Sequence, residues 1–296
     1  MGSFARSWQL AKEAAGVLMA DKELIFFPIL SACISFIAVI ILASILVAVG
    51  LFIPGAADAL SQAGNNGDGN GSTVGGVIVL FIFYLVSSFI VTYFTSGLVG
   101  AAIIRLRGGD PSFGDGIRIA NQHVGPIFVF AIMAATVGVI SSLLRGNARN
   151  RSLVGSILAG LTEMAWNIAS FLAIPIIVSQ PVSAFEAVKQ STLMLKKTWG
   201  EQLIGSAGIG VVFVIPFILL VIGGIFGVIA LANAGWGTAA LVLMVLVIVL
   251  IVLLAIVQTA LTGIYKAAIY LYAAEDVETP AFDPVLVRTA FQAARA

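Results

Sequence analysis

Charge is the first thing this sequence lacks. Lys, Arg, Asp and Glu together make up 10% of its 296 residues, against about 25% in a soluble domain. A chain so poor in charge has too little polar surface to fold alone in water. Its formal net charge of +1 leaves no basic surplus for nucleic acid. Cysteine appears once, at Cys33, which excludes an internal disulfide and a cysteine-built metal site. Histidine also appears once, at His123, and there is no H-E-x-x-H, phosphate-cradling Walker loop or G-x-S-x-G elbow. No metal, no cofactor and no enzymatic activity are therefore expected. Arg6 has no apolar run directly behind it, and Lys12, Glu13, Asp21, Lys22 and Glu23 follow, so no cleavable signal peptide is expected.

What the chain has is hydrocarbon. Apolar residues reach 60% and the mean hydropathy is +1.11. They fall into six long, nearly uncharged runs, about 24–53, 73–104, 125–144, 153–178, 203–233 and 238–274. A bilayer core about 30 Å thick needs about 20 helical residues to cross it. Lipid supplies no hydrogen bonds to the backbone, so these runs are read as helices. The expected class is all-α: one polytopic membrane helical bundle over 1–296, six transmembrane helices arranged as three hairpins.

Lys and Arg set the expected orientation. The side that carries the N-terminus holds Arg6, Lys12, Lys22, Arg105, Arg107, Arg118, Lys189, Lys196, Lys197, Lys266, Arg288 and Arg295; the other side holds only Arg145, Arg149 and Arg151. Both termini are then expected in the cytoplasm of a cell-membrane protein. The opposite side has a Gly/Asn-rich tether over 64–71 and a tight turn around Trp236, read as an interfacial anchor.

A repeat shows on the side of the termini. Four segments, about 3–20, 112–122, 183–198 and 280–294, each carry a Phe with apolar residues at helical spacing: Phe4 with Trp8, Phe113, Phe185 and Phe282. Ser112 with Asp115, and Ser183 with Glu186, have capping-box spacing. Each hairpin is therefore expected to follow a cytoplasmic amphipathic helix lying in the interface, with a fourth such helix at the C-terminal end. Phe4, Trp8, Phe113, Phe185, Trp199 and Phe282 are the candidate lipid-interface residues, and membrane lipids the expected partner, with self-association open.

Three polar groups interrupt the runs. Glu163 lies near the middle of the fourth, with Asn167 one turn on and Ser170 beyond. A carboxyl there is costly to insert; it reads either as a proton or cation site or as a neutral group hydrogen-bonded between helices. Ser88 and Thr92 follow Tyr84 at one-turn steps in the second run, and Gln258, Thr262 and Lys266 repeat every four residues in the last. These stripes read either as a polar cavity or as helix-packing hydroxyls with a snorkelling lysine. Pro175 and Pro216 are expected to break the fourth and fifth runs.

Certain segments resemble an uncharacterised prokaryotic six-helix membrane family. They are Ser7-Trp8, Asp21-Lys22-Glu23-Leu24 with Pro28, Pro175 to Gln180, Ala187 to Ser191, Lys197 to Gly200 and Tyr270 to Ala273. More distantly the chain is similar to the helical membrane domain fused to some glycerophosphodiester phosphodiesterases. The resemblance implies a fold and no catalytic residues. The function expected is a non-enzymatic membrane protein that organises or responds to the cytoplasmic leaflet. The alternative is a small-solute, proton or lipid transporter or channel using Glu163, Asn167 and the Gln258–Lys266 stripe.

Overall fold

The computed structural model describes residues 3–52, 70–145, 153–199 and 210–275. Among them there is helix and no strand. In chain order the elements are α1 (Ser3–Ala20), a 3₁₀ turn (Lys22–Ile25), α2 (Phe26–Phe52), α3 (Asn70–Leu106), α4 (Phe113–Gln122), α5 (Val124–Arg145), α6 (Leu153–Ala169), α7 (Ala173–Ser179), α8 (Ala184–Trp199), α9 (Gly210–Asn233) and α10 (Gly237–Glu275). Six stretches are long and apolar enough to cross a membrane: Lys22–Val49, Gly75–Leu106, Val124–Arg145, Leu153–Ser179, Val212–Asn233 and Gly237–Ala274. They coincide with the six expected runs, and the protein is a multi-pass membrane protein. Ile- and Val-rich runs such as that of α2 would favour strands on a half-wetted surface. In hydrocarbon each backbone N–H must find its partner within the segment, so the same residues are helical.

Helices α1, α4 and α8 stand before the first, third and fifth spans, where the repeat placed them. The fourth repeat segment, with Phe282, lies outside the described residues, as do the side chains of Phe4 and Trp199. Ser112 and Asp115 close the expected capping box. Asp115 N–H donates to Ser112 Oγ at 3.2 Å, and Ser112 N–H returns to Asp115 Oδ2 at 3.0 Å. At α8 the Glu186 N–H donates to Ser183 Oγ at 3.3 Å.

The chain divides into two compact units. One takes Met1–Ile29, Leu98–Gly116 and Met194–Ala296; the other takes Leu30–Gly97 and Ile117–Leu193. In the first unit, α9 and α10 form an antiparallel hairpin joined at Gly235, whose φ of +81° ends α9 in the left-handed turn that glycine adopts without strain. The Trp236 N–H reaches back to Leu231 O at 3.0 Å, and the exposed indole stands at the hairpin tip. At about 1.5 Å per residue, α10 is about 58 Å long, nearly twice the hydrocarbon core. Its outer stretch is exposed, whereas residues 260–271 are almost entirely buried. There α10 meets α1, which turns in Leu10, Ala11, Ala14 and Val17. At Gly263 the helix comes so close to Leu98 that a Cβ would collide with it. The buried stripe of α1 therefore faces protein.

In the second unit α5 forms the centre, with α6 and α7 against it. Phe89 meets Phe128 edge-on at 5.7 Å, Tyr84 covers Gly138, and Phe130 lies against Trp166 at 5.5 Å. Pro175 breaks the fourth span as expected. Its ring excludes the carbonyl of Phe171 and it brings no N–H, so α6 stops at Ala169 and α7 restarts at Ala173. Pro216 does not break the fifth span: α9 runs through it unbroken. Only one helical bond is lost there, the one its missing N–H would have made to Val212 O, and membrane helices tolerate such a loss.

Candidate functional site

Glu163 is the carboxylate that composition singled out, and the structure gives it a partner. Arg145, the last residue of α5, points one guanidinium nitrogen at both carboxylate oxygens, at 2.5 and 2.6 Å. The two residues are 18 positions apart and are brought together by the α5–α6 hairpin. The pairing places Glu163 level with the end of α5. Both side chains are half-exposed, at 50% for Arg145 and 40% for Glu163. The short charge-assisted contact, one nitrogen shared by both oxygens, pairs the carboxylate within the hairpin. Asn167, one turn further on α6, is exposed, and Ser170 Oγ donates to its own helix at Trp166 O.

The hydroxyl stripe of α3 lies on its contact with α5. Ser88 Oγ donates to Ala131 O across the two helices at 2.9 Å, and Thr92 is buried one turn on. On another face of α3, Tyr93 Oη donates to Asn121 Oδ1 of α4 at 2.7 Å. Gln258, Thr262 and Lys266 are half-buried along α10 of the other unit, Gln258 beside Gly210 at the start of α9. Ser88 and Thr92 thus share one helix contact, Glu163 belongs to another, and the α10 stripe belongs to a separate unit.

Of the candidate interface aromatics, Trp8 and Phe185 are exposed, at 57% and 65%. Phe113, also a candidate interface residue, is half-buried, and its ring packs on Phe27 at 4.7 Å and meets Phe26 edge-on at 6.5 Å. Its N–H also donates to the Glu23 carboxylate, so the start of α4 is held by the start of α2. Periodicity found the apolar face of α4 but carried no signal of the residues, far back in the chain, that cover it.

Two further polar residues escaped sequence reasoning. Ser191, fully buried on α8, accepts the Leu172 N–H at 3.0 Å. It repairs one backbone group freed by the Pro175 break. The signal available was its place on the stripe Ala184, Ala187, Ser191 and Leu195, the face α8 buries. Asp21 caps the 3₁₀ turn, its Oδ1 accepting the Glu23 N–H at 3.3 Å, and is only 7% exposed. Its Oδ2 is buried with no hydrogen-bond partner. Burial holds the Asp21 carboxyl above the usual carboxylate range, with Glu23 and Asp110 adding to the shift; the Glu23 N–H and Arg105 oppose it. Arg105 is itself paired with Asp110 at 3.1 Å. A raised native value means that protonated Asp21 suits the fold better. Its contribution is complete below the ordinary carboxylate pKa and is lost as pH rises through the native value. Asp21→Asn keeps the Oδ1 acceptor and removes the charge. The variant should therefore be at least as stable as wild type at pH 7, and should lose the stabilisation that wild type gains on acidification. Melting curves across pH 4–8 measure both; a less stable variant at neutral pH would mean that the carboxylate is needed charged.

Among the described residues no group of three or more His, Cys, Asp or Glu side chains converges to hold a metal ion. No curated protein matches the chain. The matches found lend no support to the likeness with glycerophosphodiester phosphodiesterases. Residues 74–279 match a family of unknown function, DUF6159. The match starts in the second span, takes in α4 to α10, and covers more than half of the chain, which therefore belongs to the DUF6159 family.

Proposed function

We propose that the protein is a non-enzymatic component of the cell membrane that organises or responds to the cytoplasmic leaflet, with both termini in the cytoplasm and membrane lipids as its partner. The observation that carries this reading is the outer face of α8. Opposite the buried stripe, Phe185, Lys189, Leu193 and Lys196 are all exposed and fall within about a quarter-turn of one another. An aromatic and a leucine flanked by two lysines form the face by which a helix lies on an anionic leaflet. Lys12, Lys22, Arg107 and Arg118 are exposed on other short helices and helix ends of the chain, and each adds about 1 kcal/mol of attraction where it lies near such a surface. The transport reading needs Glu163 open to exchange a proton or cation, and its short contacts with Arg145 leave it engaged.

The test uses the full chain in nanodiscs made with and without phosphatidylglycerol. Native mass spectrometry should find anionic lipid retained at fixed stoichiometry. Lys189→Gln combined with Lys196→Gln should weaken that retention roughly thirtyfold, about 1 kcal/mol for each lysine, and Phe185→Ser should weaken it further at unchanged charge. Retention that ignores all three substitutions would refute the reading.

A further inference from the structure

The side chains of α6 divide into an inward and an outward set. Ala159 is buried, and Gly155, Thr162, Glu163 and Trp166 are half-buried on the side that meets α5. On one flank of the outward side, Ser156, Gly160 and Asn167 are all exposed. At about 100° per residue these three lie within an arc of about 40°. A Cβ built on Gly160 meets nothing within 4 Å, so bare backbone is open there. The Asn167 carboxamide has no hydrogen-bond partner among the described residues.

That combination is unfavourable for a helix left facing lipid. Acyl chains offer an amide neither donor nor acceptor, and an unsatisfied amide in hydrocarbon costs several kcal/mol. A carboxamide, however, carries both a donor and an acceptor. Two copies of one Asn, related by a two-fold axis along the membrane normal, satisfy each other in both directions. Ser156 and Gly160, four residues apart, let two helix backbones approach closely. The neighbouring charges do not oppose this, because Arg145 and Glu163 neutralise each other within one copy. A self-complementary patch of this kind is what an isologous dimer requires.

We infer that the α6 face formed by Ser156, Gly160 and Asn167 is a homodimer interface, and that the partner it takes is a second copy of this chain with the two Asn167 carboxamides hydrogen-bonded across the axis. The inference is independent of the lipid reading above, which rests on α8.

The experiment is energy transfer between donor- and acceptor-labelled full-length protein in vesicles of phosphatidylcholine and phosphatidylglycerol, followed as the protein-to-lipid ratio is diluted. Wild type should associate in a dilution-dependent, two-body manner. Asn167→Val should weaken association roughly 3- to 20-fold, the range of interhelical hydrogen bonds in membranes. Gly160→Ile should abolish it by holding the backbones apart. Gly223→Ile on α9, equally exposed and open, should change nothing. Gly160→Cys in a Cys33→Ser background should give a disulfide-linked dimer on oxidation. Asn167→Val touches only an exposed side chain, so it carries the test even if Gly160→Ile fails to fold. Wild type that stays monomeric at every dilution overturns the inference. So does a dimer indifferent to both Asn167→Val and Gly160→Ile, or oxidation that yields no link between copies.

Discussion

Phe27→Ala should lower the stability of the purified protein by about 3–5 kcal/mol, the range for deleting a fully buried ring. Phe27 is only 1% exposed. It packs under the Phe113 ring at 4.7 Å, so its loss opens a cavity and removes the seat of the α4 helix together. After the substitution, the start of α4 keeps only the Glu23 carboxylate on the Phe113 N–H and the edge contact of the half-exposed Phe26 ring. Hydrogen exchange over residues 113–122 should therefore accelerate beyond the global loss of stability. Phe26 is the natural comparison: it touches the same Phe113 ring edge-on but is half-exposed, so Phe26→Ala should cost far less. Melting midpoints in one detergent order the two variants. Equal costs would mean that Phe27 is not part of the packed core.

Ser191→Ala should cost about 1–3 kcal/mol, more than a serine-to-alanine change usually does, because it strands a buried donor. The Leu172 N–H lies where Pro175 prevents helical pairing, and the fully buried Ser191 hydroxyl accepts it at 3.0 Å. Thr192→Ala, next in sequence, removes an exposed hydroxyl that bonds only within its own helix to Val188 O, and should stay within about 0.5 kcal/mol. The sharper check combines two changes. Pro175→Ala gives back an N–H and removes the ring that excludes the Phe171 carbonyl, letting α6 and α7 close toward one helix and pair Leu172 N–H internally. In that background Ser191→Ala should cost less than it does alone. Strict additivity would mean that the hydroxyl is not compensating for the proline.

The six spans were legible because hydropathy and length are local properties, and lipid leaves a long apolar run no fold but helix. The Ser112–Asp115 box was legible for the same reason: both partners lie within one turn. What sequence could not supply was pairing at a distance. The partner of Glu163 was not legible because Arg145 lies across a turn, 18 positions away, where helical spacing carries no signal. The packing of Phe113 was not legible because helical spacing reveals an apolar face and not what touches it, here Phe26 and Phe27. Pro175 and Pro216 look alike in sequence. One breaks a span and the other does not, and the difference lies in context, with a buried Ser191 waiting at the first break.

The seat of α1 on α10 has a consequence for how the chain is made. Leu10, Ala11, Ala14 and Val17 are buried, and α10 begins only at Gly237. A ribosome adding about 5–20 residues per second reaches residues 260–271 roughly 10–50 s after it has finished α1. For that interval α1 has only part of its native cover, the 3₁₀ turn and then α9, and the rest of its stripe must rest on the bilayer surface, on the insertion machinery or on a chaperone. Assembly therefore closes from the last span back onto the first helix, and a chain stalled before α10 leaves its N-terminal stripe open to the surveillance that recognises unassembled membrane proteins.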